Sequence, residues 1–187
     1  MALDISKYQP MQLNNKALGY AKLVKLLILD VDGVLTDGGL YFDDNGAELK
    51  RFNALDGHGI KMLRNSGVEV AIISARKAEC VAHRMKSLGV EHYYQGQSNK
   101  VMAYTQLLDK LNLKPTQVAF VGDDVIDLPV MSKVSLPIAV ANAHDFVKKH
   151  AIATTDKHGG HGAVREVCDA LLQSHGNYDE LMDSYLQ

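Results

Sequence analysis

Leu26-Leu27-Ile28-Leu29 is a run of large aliphatics with no polar alternation. A strand without a polar face must be buried on both sides, which predicts a mostly parallel sheet covered by helices. The strand reads as 24–30, ending in Asp30, with Asp32 two residues on and a glycine turn at Gly33. Side chains two apart on an extended chain point the same way. Buried and unpaired, two such carboxylates would be costly. Either the strand ends in a polar turn, or the pair holds a metal or moves a proton. Later segments favour the second reading.

Those segments alternate in type. A weakly amphipathic helix is expected at 10–23. Strands are expected at 68–73, 90–94, 118–121, 136–140 and 152–154, and helices at 57–66, 77–88, 99–111, 126–132, 144–150 and 163–173. Residues 39–42 and 47–52 flank Asp43-Asp44-Asn45-Gly46, a hairpin with Asn-Gly in its turn. The tail from about 175 to 187 is polar and loosely patterned. The expected fold is α/β: a Rossmann-like, mostly parallel sheet with helices on both faces. A β-hairpin insertion at about 38–52 follows the first strand, within a single domain over 1–187.

Composition excludes several classes of function. Net charge is −2, charged residues make up 22% and hydrophobic ones 47%, with no long basic run. Nothing invites nucleic acid or an anionic membrane. The apolar runs are strand-length, too short to span a bilayer. Met1–Lys7 lacks the pattern of a signal peptide. Cys80 and Cys168 sit in separate helical segments, without metal-ligand spacing, and read as reduced core thiols of a cytoplasmic protein.

In open α/β sheets, ligands bind beyond the carboxyl ends of the strands. Four strand ends here carry chemistry: Asp30, Ser74, the run leading to Lys100, and Gly122-Asp123-Asp124. Clustered carboxylates raise one another's pKa or recruit a cation. Oxygen ligands without His or Cys suit Mg²⁺. A hydroxyl, a lysine and helix N-terminal amides beside them make a cradle for a phosphate dianion. Asp30 is then placed to attack phosphorus. Asp32 is placed to protonate the leaving alkoxide and later to activate water. Asp124 either reaches metal-bound water or orients its loop. Asp127 either complements a helix dipole or pairs with Lys100. His158 and His161 lack further zinc ligands.

Asp30-Val31-Asp32-Gly33-Val34-Leu35-Thr36-Asp37, Ser74, Lys100 and Gly122-Asp123-Asp124-Val125-Ile126-Asp127 together resemble the four motifs of the haloacid dehalogenase superfamily. Members with an aspartate two residues after the nucleophile are phosphatases. The resemblance implies Mg²⁺ held by Asp30, Asp123 and the backbone carbonyl of Asp32. Ser74 and Lys100 would bind phosphate, and Asp124 would lie on the substrate side.

A narrower resemblance covers nearly the whole chain. The hairpin, Phe52–Ile60, Tyr94–Lys100 and Gly162-Ala163-Val164-Arg165-Glu166 are similar to the 3-deoxy-D-manno-octulosonate 8-phosphate phosphatases. These are Mg²⁺-dependent phosphomonoester hydrolases of lipopolysaccharide precursor synthesis. They are small, have no separate cap domain, and form tetramers in which hairpins meet centrally and a neighbouring subunit closes the active site. By that resemblance Asn53, Lys61, Arg76 and Arg84 help bind the sugar acid, some of them from the adjacent subunit. Arg76 and Arg84, eight residues apart on or beside one helix, would be about two turns apart and so on one face. A sugar acid's carboxylate needs such cations. Leu55 stands where that family carries arginine, Ala75 where glycine is common, and His161 where Lys or Arg is usual. Leu55 keeps open a phosphatase for a nine-carbon, sialic-type sugar acid. A phospho-acceptor signalling domain is a rival from another class, opposed by Asp32.

Overall fold

In the computed structural model, which describes residues 11–187, β1 (Leu26–Leu29) lies at the centre of the sheet with every side chain buried. The residues 1–10, where a signal peptide was not expected, lie outside the described residues, as does the first residue of the expected N-terminal helix. That helix is α1 (Asn15–Ala21), capped by the Asn14 side chain.

β1 is flanked by β4 (Glu69–Ile73) and β6 (Val118–Gly122). β5 (His92–Tyr94), β7 (Leu136–Ala139) and β8 (Ala153–Thr154) complete a sheet of order β5-β4-β1-β6-β7-β8, parallel throughout. The aliphatic run of β1 fits this burial, since a parallel sheet covered by helices has no solvated face. The chain winds outward from β1 to β5, returns past β1 to β6, and winds the other way. The gap between the carboxyl ends of β1 and β6 is therefore the switch point where ligands bind. Right-handed crossovers in opposite directions put helices on opposite faces.

α2 (Ala54–Asn65) and α1 pack with α7 (Ala163–Ser174). α5 (Leu128–Met131) packs with α4 (Lys100–Leu111) and α6 (Asp145–His150). α3 (Glu79–Leu88) follows β4. None of the helices among the described residues is long and apolar enough to cross a membrane.

Register fixes the site. Leu29 lies level with Ile72 of β4 and Val121 of β6. One residue further, Asp30 stands level with Ile73 and Gly122, so Ser74 and Asp123 follow on the same rim.

The hairpin is as expected in position. β2 (Tyr41–Phe42) pairs antiparallel with β3 (Glu48–Leu49). Asp43 Oδ1 accepts from the Asn45 and Ala47 amides, and Gly46 supplies the positive φ of 80° that the turn requires.

Four expectations change. α2 begins at Ala54 rather than 57, because the Asn53 side chain accepts from the Leu55 amide and caps the helix there. α3 begins at Glu79, so Arg76 lies in the preceding loop and shares no helix face with Arg84. The tail folds as α8 (Tyr178–Ser184), with Tyr178 buried. Cys168 is a buried thiol, whereas Cys80 is only half-buried; both are free.

Candidate active site

Asp30 follows β1 directly, its amide donating 3.0 Å to the Val121 carbonyl, and it is 4% exposed. Lys100 is the first residue of α4, behind the Asn99 cap. Its Nζ donates to Asp30 Oδ1 at 2.6 Å and to Asp127 Oδ1 at 2.7 Å. Burial works against the lysine's charge, but the two carboxylates outweigh it and its pKa rises. The other Asp127 oxygen accepts from the Asp123 and Asp124 amides at 3.0 and 3.4 Å. Both readings of Asp127 therefore hold at once: one oxygen secures the loop after β6 and the other pairs with Lys100.

Asp30, Asp123 and Asp127 bring carboxylate oxygens within 4.8 Å of one another. One lysine does not neutralise three carboxylates. Burial, then Asp127, pushes the Asp30 carboxyl above its ordinary value. Burial, then Asp30, Asp127 and Asp124, pushes Asp123 up to about 8. Both oxygens of Asp127 are taken, which leaves Asp30 and Asp123 facing the surplus charge. A hard divalent cation fits this donor set, since all of it is carboxylate oxygen. Gly33 has a φ of +90°, and a Cβ there would meet Asp123 Oδ2 at 2.1 Å. Only glycine lets the loop after β1 lie against that carboxylate.

Ser74 follows β4 and is buried. Its Oγ accepts from the Arg76 amide at 3.2 Å, so its own hydrogen is free to be donated to an anion. Asp32 is partly exposed beyond Asp30. Lys50 donates to Asp32 Oδ1, and also to Glu48 Oε1 at 2.7 Å. Arg76 donates to Glu48 Oε2 at 3.2 Å, and its Nε lies 3.9 Å from Asp32 Oδ2. Burial opposes the charge on Lys50, but its hydrogen bonds to the Asp32 and Glu48 carboxylates raise its pKa. Glu48 is pulled below its usual value, first by the Lys50 hydrogen bond.

Asp30, Asp32, Ser74, Arg76, Lys100 and Asp123 thus converge on one rim. Asp124 is exposed beside them and caps the short turn at Val125–Asp127, its Oδ1 accepting from the Val125 amide at 2.7 Å. Asn53 caps α2 and donates from Nδ2 to the Gly160 carbonyl at 3.3 Å. Arg84 turns toward α2 rather than the rim. Its Nη2 donates to the Asn53 carbonyl at 3.3 Å, in a notch that a side chain on Gly57 would fill. Lys61 is exposed about 12 Å along α2 from Asn53, by the rise of a helix. Within this chain, Lys61 and Arg84 do not join the rim.

Sequence reasoning missed Lys50 and Glu48. Strand alternation is the signal that would have found them: Glu48 and Lys50 share one side of the hairpin strand, opposite Leu49. It also missed Gly159 and Asp56. A Cβ on Gly159 would meet the Gly33 carbonyl oxygen at 1.7 Å, and the Gly160 amide donates to the Val34 carbonyl at 3.0 Å. The glycine loop therefore braces the loop after β1. Asp56, buried on α2, accepts from the Arg165 amide at 2.7 Å and caps α7, whose own cap residue is Gly162. His161 meets the Gly159 carbonyl through Nδ1 at 2.9 Å and Arg51 through Nε2 at 3.2 Å, an arrangement that leaves it no role as a zinc ligand.

A profile of the haloacid dehalogenase-like hydrolases matches residues 92–167. A 3-deoxy-D-manno-octulosonate 8-phosphate phosphatase of Escherichia coli K12 is 55% identical over 160 residues, 86% of this chain and 85% of that protein. Among solved structures, a probable phosphatase of the YrbI family from Pseudomonas syringae superposes with a TM-score of 0.91 at 49% identity, covering 93% of this chain and 99% of that one. The Moraxella catarrhalis 3-deoxy-D-manno-octulosonate 8-phosphate phosphatase, solved with magnesium, phosphate and the sugar acid, superposes with a TM-score of 0.89 at 37% identity, covering 91% and 98%.

Proposed function

This chain belongs to the haloacid dehalogenase-like hydrolases and, among them, to the 3-deoxy-D-manno-octulosonate 8-phosphate phosphatases, and from that premise we propose which of its residues carry the reaction. The enzyme hydrolyses 3-deoxy-D-manno-octulosonate 8-phosphate to the sugar acid and phosphate, a step of lipopolysaccharide precursor synthesis, and uses Mg²⁺. The observation that carries the assignment of roles is the Lys100 ammonium shared by Asp30 and Asp127 at the switch point.

Asp30 and Asp123, with the Asp32 backbone carbonyl by resemblance, would hold Mg²⁺. When bound, the ion offsets the repulsion between the Asp30 carboxylate and a phosphate dianion. Lys100 and the Ser74 hydroxyl bind the phosphate oxygens. An Asp30 oxygen attacks phosphorus as the ester bond to the sugar's 8-oxygen breaks. Asp32 gives its proton to that departing oxygen. It then takes a proton from the water that attacks the aspartyl-phosphate, which returns Asp30 and releases phosphate. Lys100 also fixes the attacking oxygen, and Asp127 keeps Lys100 in place.

Arg76 takes the sugar acid's carboxylate. Asn53, Lys61, Arg84 and Asp124 belong to the outer wall, with Lys61 and Arg84 offered to a neighbouring subunit. We propose a single domain over 1–187 and a homotetramer. Leu40, Tyr41, Phe42 and Leu49 on the hairpin are all exposed, an apolar surface suited to association. Two free thiols suit a cytoplasmic location.

The test is turnover of a panel of sugar phosphates by the purified protein with Mg²⁺, alongside Asp30→Asn. The eight-carbon acid phosphate should lead the panel, and the variant should lose activity with its circular dichroism intact. Preference for a nine-carbon acid phosphate would transfer the substrate assignment. Activity retained in Asp30→Asn would remove the nucleophile.

A further inference from the structure

Glu48 is a carboxylate held between two cations. Its two oxygens are divided between two cations, Lys50 at 2.7 Å and Arg76 at 3.2 Å. Among the described residues, those are also the two cations paired with Asp32. The inner half of the arrangement is covered, with the Lys50 side chain 1% exposed and that of Glu48 14%, while Arg76 forms its open side at 43%. Two donors converging on one carboxylate form a carboxylate site, and in this chain the hairpin fills it with its own side chain.

Taking the sugar-acid reading above as its basis, we propose that Glu48 is a specificity-determining residue, a built-in competitor that the substrate's carboxylate displaces from Lys50 and Arg76. The exchange trades one ion pair for another. No buried cation is stranded, so the swap avoids the large cost of breaking such a pair outright. A phosphate ester without an acid group offers Lys50 and Arg76 nothing in return and leaves Glu48 in place. Lys50 additionally ties the cationic site to Asp32, so a carboxylate arriving there lands beside the proton-transfer residue.

The hairpin is suited to this exchange. Its strands are two residues each and pair only with one another, outside the main sheet. Glu48 can withdraw without breaking a hydrogen bond of the core sheet. A ligand whose site is open only a fraction of the time binds weaker by that fraction.

The experiment measures binding of the free sugar acid and of inorganic phosphate to the Mg²⁺-loaded protein by calorimetry, in wild type and in Glu48→Gln. The variant should bind the sugar acid about fivefold to tenfold more tightly relative to phosphate, the gain expected if Glu48 holds its site 80–90% of the time, roughly. Glu48→Asp, which keeps the charge, should fall nearer wild type. An unchanged ratio in Glu48→Gln overturns the proposal. A ratio that falls also overturns it, since Glu48 would then only prop Lys50 and Arg76 in position. The underlying sugar-acid reading fails in a different place: a wild-type chain that neither hydrolyses the 8-phosphate nor binds the acid overturns both.

Discussion

Lys100 and Lys50 are each held between two carboxylates, and in each the hydrogen-bonded partners raise the pKa against burial. The difference lies in what carries the side chains. Lys100 opens a twelve-residue helix; of its partners, Asp30 directly follows β1, and buried Asp127 is tied by its other oxygen to the Asp123 and Asp124 amides of the loop after β6. Lys50 follows a two-residue strand whose apolar neighbours Leu49, Phe42 and Tyr41 face solvent. The proposed roles thus put phosphate chemistry on the core and recognition of the rest of the substrate on an appendage. On that proposal the same ion-pair motif is fixed in one place and exchangeable in the other.

Paired truncations put that contrast under most strain. Lys100→Met leaves Asp30 and Asp127 buried without their cation, a loss of about 3–5 kcal/mol, so its melting temperature should fall by about 10 °C and turnover by about 10³-fold. Lys50→Met acts on partly exposed partners and should shift the melting temperature by less than about 3 °C. Equal losses in a thermal melt would erase the distinction.

Next in size is Gly159→Ala. The added methyl has no room against Gly33 and must push the loop after β1, so kcat/KM should drop about 100-fold with helix content unchanged. Wild-type kinetics in this variant would show that the glycine loop does not brace the site.

The metal-free protein should respond to pH in a direction fixed by the rim. Burial, then the neighbouring carboxylates, push Asp123 up to about 8 in the folded state, against the ordinary carboxylate range when unfolded. A raised folded pKa means the folded state binds more protons over that interval. Stability from this group is therefore full below the unfolded pKa and is lost as pH rises toward about 8. With chelator present, the melting temperature should decline from pH 6 to pH 9. Asp123→Asn should flatten the decline and abolish the rise on adding Mg²⁺. A melt that climbs with pH in chelator contradicts the charge surplus.

The smallest effect on the chain's own stability belongs to the hairpin surface. Leu40→Ser combined with Leu49→Ser should change the melting temperature of a single subunit by less than about 2 °C while lowering the mass seen by light scattering. An unchanged mass would place the association surface elsewhere.

The rim was readable because strand ends in a parallel sheet share one side. Once Leu26–Leu29 reads as doubly buried, Asp30, Ser74, Lys100 and Asp123 fall together by topology alone. Arg76 and Arg84 were misread on one point, the start of α3. The Ser74 hydroxyl takes the Arg76 amide and the Gln95 side chain takes the Ala78 amide at 2.9 Å, and these hold the segment out of helix until Glu79. Helical spacing carries no sign of either bond. The tail's α8 was missed because its anchor is the single buried Tyr178, where α8 packs on α7, and the tail's own polar pattern carries no sign of that burial.

Sequence by itself determined the sheet, the order of the strands' chemical ends and the identity of the candidate groups there, since unbroken apolar runs and local punctuation are properties of neighbouring residues. Only the tertiary structure decided how charges divide. It gave Asp127 both its tasks, one for each oxygen. It placed the hairpin's Glu48 on Arg76 and turned Arg84 onto the end of α2. A side chain with several possible partners is claimed by whichever the packed backbone brings within about 3 Å, and no local pattern encodes that distance.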